Sequence, residues 1–236
     1  LSTLLYLCKK QPGFSPKMEH IYKLKGDNDE YVVEKAICSL NNDQVIAVPT
    51  DTIYGVAALA QSKTGVEKLY NIKNRQKEKA IAICVGSIED VKRWCLVTIS
   101  DNVLEDLLPG PVTLVFQRSS LLNSYLNPTS NSIGVRIPKC AFIQTLAQKC
   151  QQPIALTSAN ISSAMSSLDI KEFEELWPKL DLIVDGGTLG SSEQSRLGST
   201  VVDLTKEGEF TIIREGCAYN EVVNILHKYG FKNSNK

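Results

Sequence analysis

The sequence predicts an α/β fold, a single domain built on a twisted mixed β-sheet flanked by helices. Three observations point there. Segments with helical periodicity alternate with short apolar runs rich in β-branched residues. A chain of 236 residues, 43% apolar and 22% charged, can bury one sizeable core without staples. No internal repeat and no linker rich in Gly, Pro or Ser divides it.

Residues 1–17 hold Lys9, Lys10 and Lys17 but no acid, together with Pro12, Gly13 and Pro16. They read as a flexible leader, compatible with the remnant of a mitochondrial presequence. The folded domain is expected over 18–220, with a C-terminal helix and tail over 221–236. Apolar spacing predicts helices over 29–41, 64–74, 88–95, 101–108, 140–149, 169–176 and 219–229. Buried strands are predicted at Val45–Val48, Val56–Ala60, Ile81–Val85, Val112–Phe116, Ile133–Ile137, Ile154–Thr157, Leu182–Val184, Thr200–Leu204 and Phe210–Ile213. These runs are short, and several are β-branched and bounded by Gly, Pro, Asp or Asn. The serine-containing stretches 119–132, 158–167 and 190–199 read as loops of the same domain.

Composition narrows the function. Seven cysteines, an odd number spread singly with no C-x-x-C pair, read as a reduced, intracellular set. Two histidines, His20 and His227, lie near the ends, so a His-rich metal cage and Ser-His or Cys-His catalysis are not expected. The 26 basic residues balance the 26 acidic ones, which argues against a dedicated nucleic-acid binder. No apolar run reaches the roughly 18 to 20 residues of a membrane-spanning helix. Neither G-x-x-x-x-G-K-[ST] nor G-x-G-x-x-G occurs, so any nucleotide site is built in another way.

Several local patterns could carry chemistry. Lys63, Lys68, Lys73, Arg75, Lys77 and Lys79 face only Glu67 and Glu78, and the last four cations alternate towards the apolar run at Ile81. Convergent Arg and Lys donors suit a polyphosphate, although a solvated charged loop has the same composition. Pro49-Thr50-Asp51-Thr52-Ile53-Tyr54-Gly55 follows a predicted strand and puts hydroxyls and a carboxylate at its carboxyl end, where open α/β sheets bind ligands. A capped turn is the alternative, and Asp51 could serve as an N-cap, an amine partner or a metal ligand. Thr157-Ser158-Ala159-Asn160 repeats this placement after another strand. Leu108-Pro109-Gly110-Pro111-Val112-Thr113 reads as turn punctuation before a strand. Arg136, inside a strand-like run, is costly to bury without a carboxylate partner, internal or from a ligand.

In this order, these segments resemble the YrdC family of threonylcarbamoyl-AMP synthases. The resemblance runs from about Tyr31 to Gly216. It is carried by Val48-Pro49-Thr50-Asp51-Thr52-Ile53-Tyr54-Gly55, Lys73-Asn74-Arg75, Pro109-Gly110-Pro111, Gly134-Val135-Arg136-Ile137-Pro138, Ser158-Ala159-Asn160, Ser199-Thr200-Val201-Val202-Asp203 and Ile213-Arg214-Glu215-Gly216. It implies a YrdC-like fold with a concave, positively charged cavity. It also implies an enzyme that joins L-threonine, bicarbonate and ATP into L-threonylcarbamoyl-adenylate and pyrophosphate. Magnesium would arrive with the nucleotide, with no metal held by the protein itself. The product would reach tRNA through a separate threonylcarbamoyl transferase complex, and a cytoplasmic or mitochondrial monomer or weak dimer is expected.

Carried over by position, Lys73 and Arg75 would act on the reacting phosphates. Lys79, Ser132, Asn160 and Arg214 would sit on the nucleotide side. Thr50, Arg136, Ser158 and Ser199 would hold threonine or its carbamate. Two departures stand out. Cys84 stands near where many relatives have a histidine, and the loop 161–167 lacks the usual Ser-Gly followed by Ser-Pro-Thr. The alternative from a different class is a non-catalytic RNA-binding module that uses the same basic concave surface; no RNP-type aromatic stripe or GXXG clamp supports it.

Overall fold

The structure, a computed structural model, describes residues 20–26, 29–72, 80–160 and 165–234. Among the described residues, twelve strands form one mixed sheet. They are β1 (Ile21–Lys23), β2 (Ile46–Val48), β3 (Gly55–Leu59), β4 (Ala82–Cys84), β5 (Cys95–Leu96), β6 (Val112–Arg118), β7 (Ser132–Arg136), β8 (Ile154–Ser158), β9 (Leu182–Asp185), β10 (Thr200–Asp203), β11 (Glu209–Arg214) and β12 (Lys232–Asn233). Their order across the sheet is β1-β9-β2-β3-β8-β4-β7-β6-β10-β11-β12, with β5 paired to β6. The helices are α1 (Glu30–Asn41), α2 (Lys63–Ile72), α3 (Ile88–Trp94), α4 (Asp101–Leu107), α5 (Ala141–Cys150) and α6 (Tyr219–Lys228).

Local chemistry accounts for the helix starts. Asp29 accepts the Val32 backbone N–H at α1, and Ser87 accepts that of Asp90 at α3, each satisfying an orphan donor of the first turn. The predicted helix at 169–176 is instead a pair of 3₁₀ turns over Ile170–Lys179, broken at Phe173. Phe173 leaves helical geometry (φ −133°, ψ 31°) and buries its ring 5.6 Å from that of Tyr54, while Pro178 supplies no backbone donor. The edge strands β1, β5 and β12 fall outside the predicted runs because two or three residues are too short to show a period. Cys84, Cys95, Cys150 and Cys217 are free thiols, but Cys38 is disulfide-bonded, which departs from a wholly reduced set.

Both faces of the sheet are packed, and unequally. One face carries Val56, Ile83, Leu114, Phe116, Ile133, Val135 and Val202 into a large core with α2, α3, α4 and α6. The other carries Ile46, Val48, Ala57, Cys84 and Leu156 against Val33, Ala36 and Leu40 of α1 and Phe142, Ile143 and Leu146 of α5. This second core draws on β2, β3, β4, β8 and β9 but on no residue of β6, β7, β10 or β11. Beyond α5 that face therefore opens into a hollow. Among the described residues, no helix is long and apolar enough to cross a membrane.

Candidate active site

The hollow is a cavity of about 580 Å³, within the usual size range of small-molecule sites. Strand alternation builds its floor. In β7, Ile133 and Val135 enter the core, so Ser132, Gly134 and Arg136 face the cavity, joined by Thr113 and Val115 of β6 and Ala82 of β4. Small residues keep the floor deep. A Cβ on Gly134 would stand 2.9 Å from the Thr113 methyl and 3.4 Å from the Ala82 Cβ.

The Pro49–Gly55 loop forms one wall. Thr50 Oγ donates to the Ile53 carbonyl at 2.7 Å and accepts the Thr52 and Ile53 backbone N–H groups at 3.2 and 3.3 Å. This hydroxyl organises its own turn, and Thr50 lines the cavity. Asp51 turns away to Arg136, accepting from Nη2 at 2.5 Å, and its other carboxylate oxygen accepts the Lys139 N–H at 2.8 Å. The two charged side chains are 8% and 7% exposed. Among the described residues, Arg136 Nε is buried without a hydrogen-bond partner. Tyr54 donates to the Gly187 carbonyl at 2.7 Å and accepts the Gly186 N–H at 2.9 Å, and burial raises the pKa of its phenol.

A second wall is a polar chain. Thr113 and Ser199 share a hydroxyl–hydroxyl bond at 2.8 Å, and Arg214 Nη2 donates to the Ser199 carbonyl at 2.7 Å and hydroxyl at 3.1 Å. Gly216 makes this join possible. A Cβ there would lie 2.3 Å from the Ser199 carbonyl carbon, so only glycine lets the end of β11 press onto the start of β10. Burial, and then the nearby Arg136 charge, lower the pKa of the Arg214 guanidinium. Ser132 shares a hydroxyl bond with Ser130 at 3.1 Å, and Ser158 donates to Asn160 Oδ1 at 2.5 Å.

Thr50, Ser132, Arg136, Ser158, Ser199 and Arg214 thus line one cavity, whereas Asn160 is outside that lining and hydrogen-bonded to Ser158. Lys73, Arg75 and Lys79 lie outside the described residues, as does the 161–164 part of the loop, while Ala80, next along the chain, lines the cavity. Among the described residues, both charged side chains in the lining are arginines. No described group of three His, Cys, Asp or Glu residues is arranged to hold a metal. Cys84 is fully buried, and burial pushes its thiol up to about 12. Sequence reasoning passed over Thr113 as part of a turn signal. The clue was a hydroxyl alternating with Val112 and Leu114 in an otherwise apolar strand.

The Sua5/YciO/YrdC family model, described as "Telomere recombination", matches residues 38–216. Threonylcarbamoyl-AMP synthase of Homo sapiens is 50% identical over 198 residues, covering 83% of this chain and 71% of the human protein. The crystal structure of P. abyssi Sua5 complexed with L-threonine aligns at a TM-score of 0.76 and 25% identity over 90% of this chain. This chain spans 62% of that archaeal protein. E. coli YciO, 22% identical, shares the fold at a TM-score of 0.75 over 84% of this chain and 96% of that one. Motif order, sheet and cavity coincide with a match over most of the length, and the chain belongs to the Sua5/YciO/YrdC family.

Proposed function

We propose that this chain condenses L-threonine, carbon dioxide or bicarbonate, and ATP into L-threonylcarbamoyl-adenylate with release of pyrophosphate, for tRNA modification completed by a separate threonylcarbamoyl transferase complex. The observation that carries the reading is the convergence in one cavity of side chains from five motifs far apart in sequence. Arg136 retains guanidinium donors beyond its bond to Asp51 and would take the threonine carboxylate in fork geometry. Ser158, Ser199 and Thr50 would border the amino acid. Arg214, Ser132 and Asn160 would lie on the nucleotide side. Lys73, Arg75 and Lys79 enter the proposal on their motif alone.

The chemistry asks mainly for positioning. The threonine amine adds to carbon dioxide, losing a proton and forming an N–C bond, and a carbamate oxygen then attacks the α-phosphorus as the bond to pyrophosphate breaks. The carbamate is a weak, short-lived nucleophile, so a walled cavity that excludes water and aligns the oxygen supplies most of the help. Fixed cations offset charge growing on the leaving pyrophosphate. A divalent ion would be held by phosphate oxygens, because Asp51, the carboxylate beside the cavity, has both oxygens engaged. Incubation with ATP, labelled threonine and bicarbonate should yield the mixed anhydride by mass spectrometry, with pyrophosphate release that needs all three substrates. Lys73→Ala and Arg75→Ala should each lower turnover by about 10²-fold. Near wild-type turnover in both would remove those residues from the phosphate site.

A further inference from the structure

The cavity's two arginines are not equivalent. Arg136 is paired with Asp51 at 2.5 Å, both side chains are under a tenth exposed, and the Lys139 N–H fixes the other carboxylate oxygen at 2.8 Å. Arg214 makes its hydrogen bonds to the Ser199 carbonyl and hydroxyl, and among the described residues no carboxylate contacts it. The Arg136 charge is close enough to act on Arg214. Among the described residues, one guanidinium is therefore neutralised in advance and the other is not.

This difference matters when two kinds of anion enter together. In a poorly solvated wall an unpaired guanidinium attracts a polyphosphate more strongly than a monoanionic carboxylate, because attraction grows with ligand charge. A fixed carboxylate beside the guanidinium reverses that preference. A single negative charge still gains directed hydrogen bonds from the remaining donors, while each further charge is repelled by Asp51.

We propose that Asp51 is a positioning and specificity-determining residue, which holds the Arg136 guanidinium in place and reserves it for the amino-acid carboxylate, leaving polyphosphate to the unpaired Arg214 side. The proposal rests on the reading that Arg136 receives that carboxylate. A merely structural pair, tying the 49–55 loop to the turn before α5, would affect stability and leave the choice of anion unchanged.

The test is equilibrium binding of L-threonine with and without inorganic pyrophosphate, on the full chain, alongside thermal melts. In the wild type, pyrophosphate should bind without displacing threonine. Asp51→Asn should weaken threonine by about tenfold or more and turn pyrophosphate into a competitor for its site. Asp51→Glu keeps the charge and should restore discrimination, so it carries the test if Asp51→Asn does not fold. Displacement of threonine by pyrophosphate in the wild type would overturn the proposal. So would loss of both ligands in equal measure in Asp51→Asn, unchanged binding of both, or loss of discrimination in Asp51→Glu. Arg136→Lys separates the underlying reading: wild-type affinity for threonine there overturns both, whereas a large loss there with indifferent Asp51 variants overturns the proposal alone.

Discussion

Cys84 and Cys217 show how surroundings set the chemistry of one residue type. Cys84 lies on β4 under α5, fully buried, and desolvation of the thiolate holds its pKa near 12. Cys217 is exposed and lies near Arg136 and Arg214, although partial desolvation still raises its pKa. Iodoacetamide at pH 8 should modify Cys217 in the folded protein and reach Cys84 only after denaturation, as read by peptide mass spectrometry. Fast labelling of Cys84 in the native state would contradict the buried position. Burial was legible for Cys84 from its apolar run, Ile81 to Val85. The partner of Arg136 was not: its strand position called for a carboxylate, but only folding brings Asp51, 85 residues away, within 2.5 Å. Thr50 likewise read as a ligand-side hydroxyl, and the structure adds its role in closing its own turn.

At the scale of elements, the strands and helices that build the cavity were nearly all readable, because each pairs a clear apolar period with a polar or glycine boundary. The 170–179 segment was not, since its amphipathic spacing suits a helix while Phe173 gives up helical geometry for a place in the core. That segment is pinned from outside by Arg196, which donates to Glu172 Oε2 at 2.7 Å, Glu172 Oε1 at 2.9 Å and the Ser166 carbonyl at 2.7 Å. The hydrogen bond from Arg196 lowers the Glu172 pKa below its ordinary 4.5. A lowered carboxylate pKa contributes stability above the ordinary value and loses it as pH falls through the folded value. The bridge should therefore be intact at pH 6 and weaken below 4.5. Amide exchange over 193–197 should rise there in the wild type, relative to neighbouring strands, and be raised at both pH values in Glu172→Gln.

At the scale of the molecule, two cores share one sheet, and the strands β2, β3, β4, β8 and β9 contribute to both. They should melt together. Leu146→Ala, at a fully buried position on α5, should cost about 2–5 kcal/mol and lower one common transition, seen alike by circular dichroism and by fluorescence of Trp94 and Trp177, which pack on the opposite core. Two separated transitions would mean that the faces fold independently. The fold class and most element positions followed from the sequence alone, because backbone periodicity and turn chemistry are local properties, whereas Ser132, Ser199 and Arg214 were named only through the family resemblance and Thr113 was not named as a site residue at all. Tertiary structure alone decided that α1 and α5 cover only part of one sheet face, that Asp51 neutralises Arg136, and that Thr113 joins Ser199 and Arg214. Those outcomes depend on contacts between residues far apart in the chain, and no local pattern encodes which distant partner a buried charge or hydroxyl will meet.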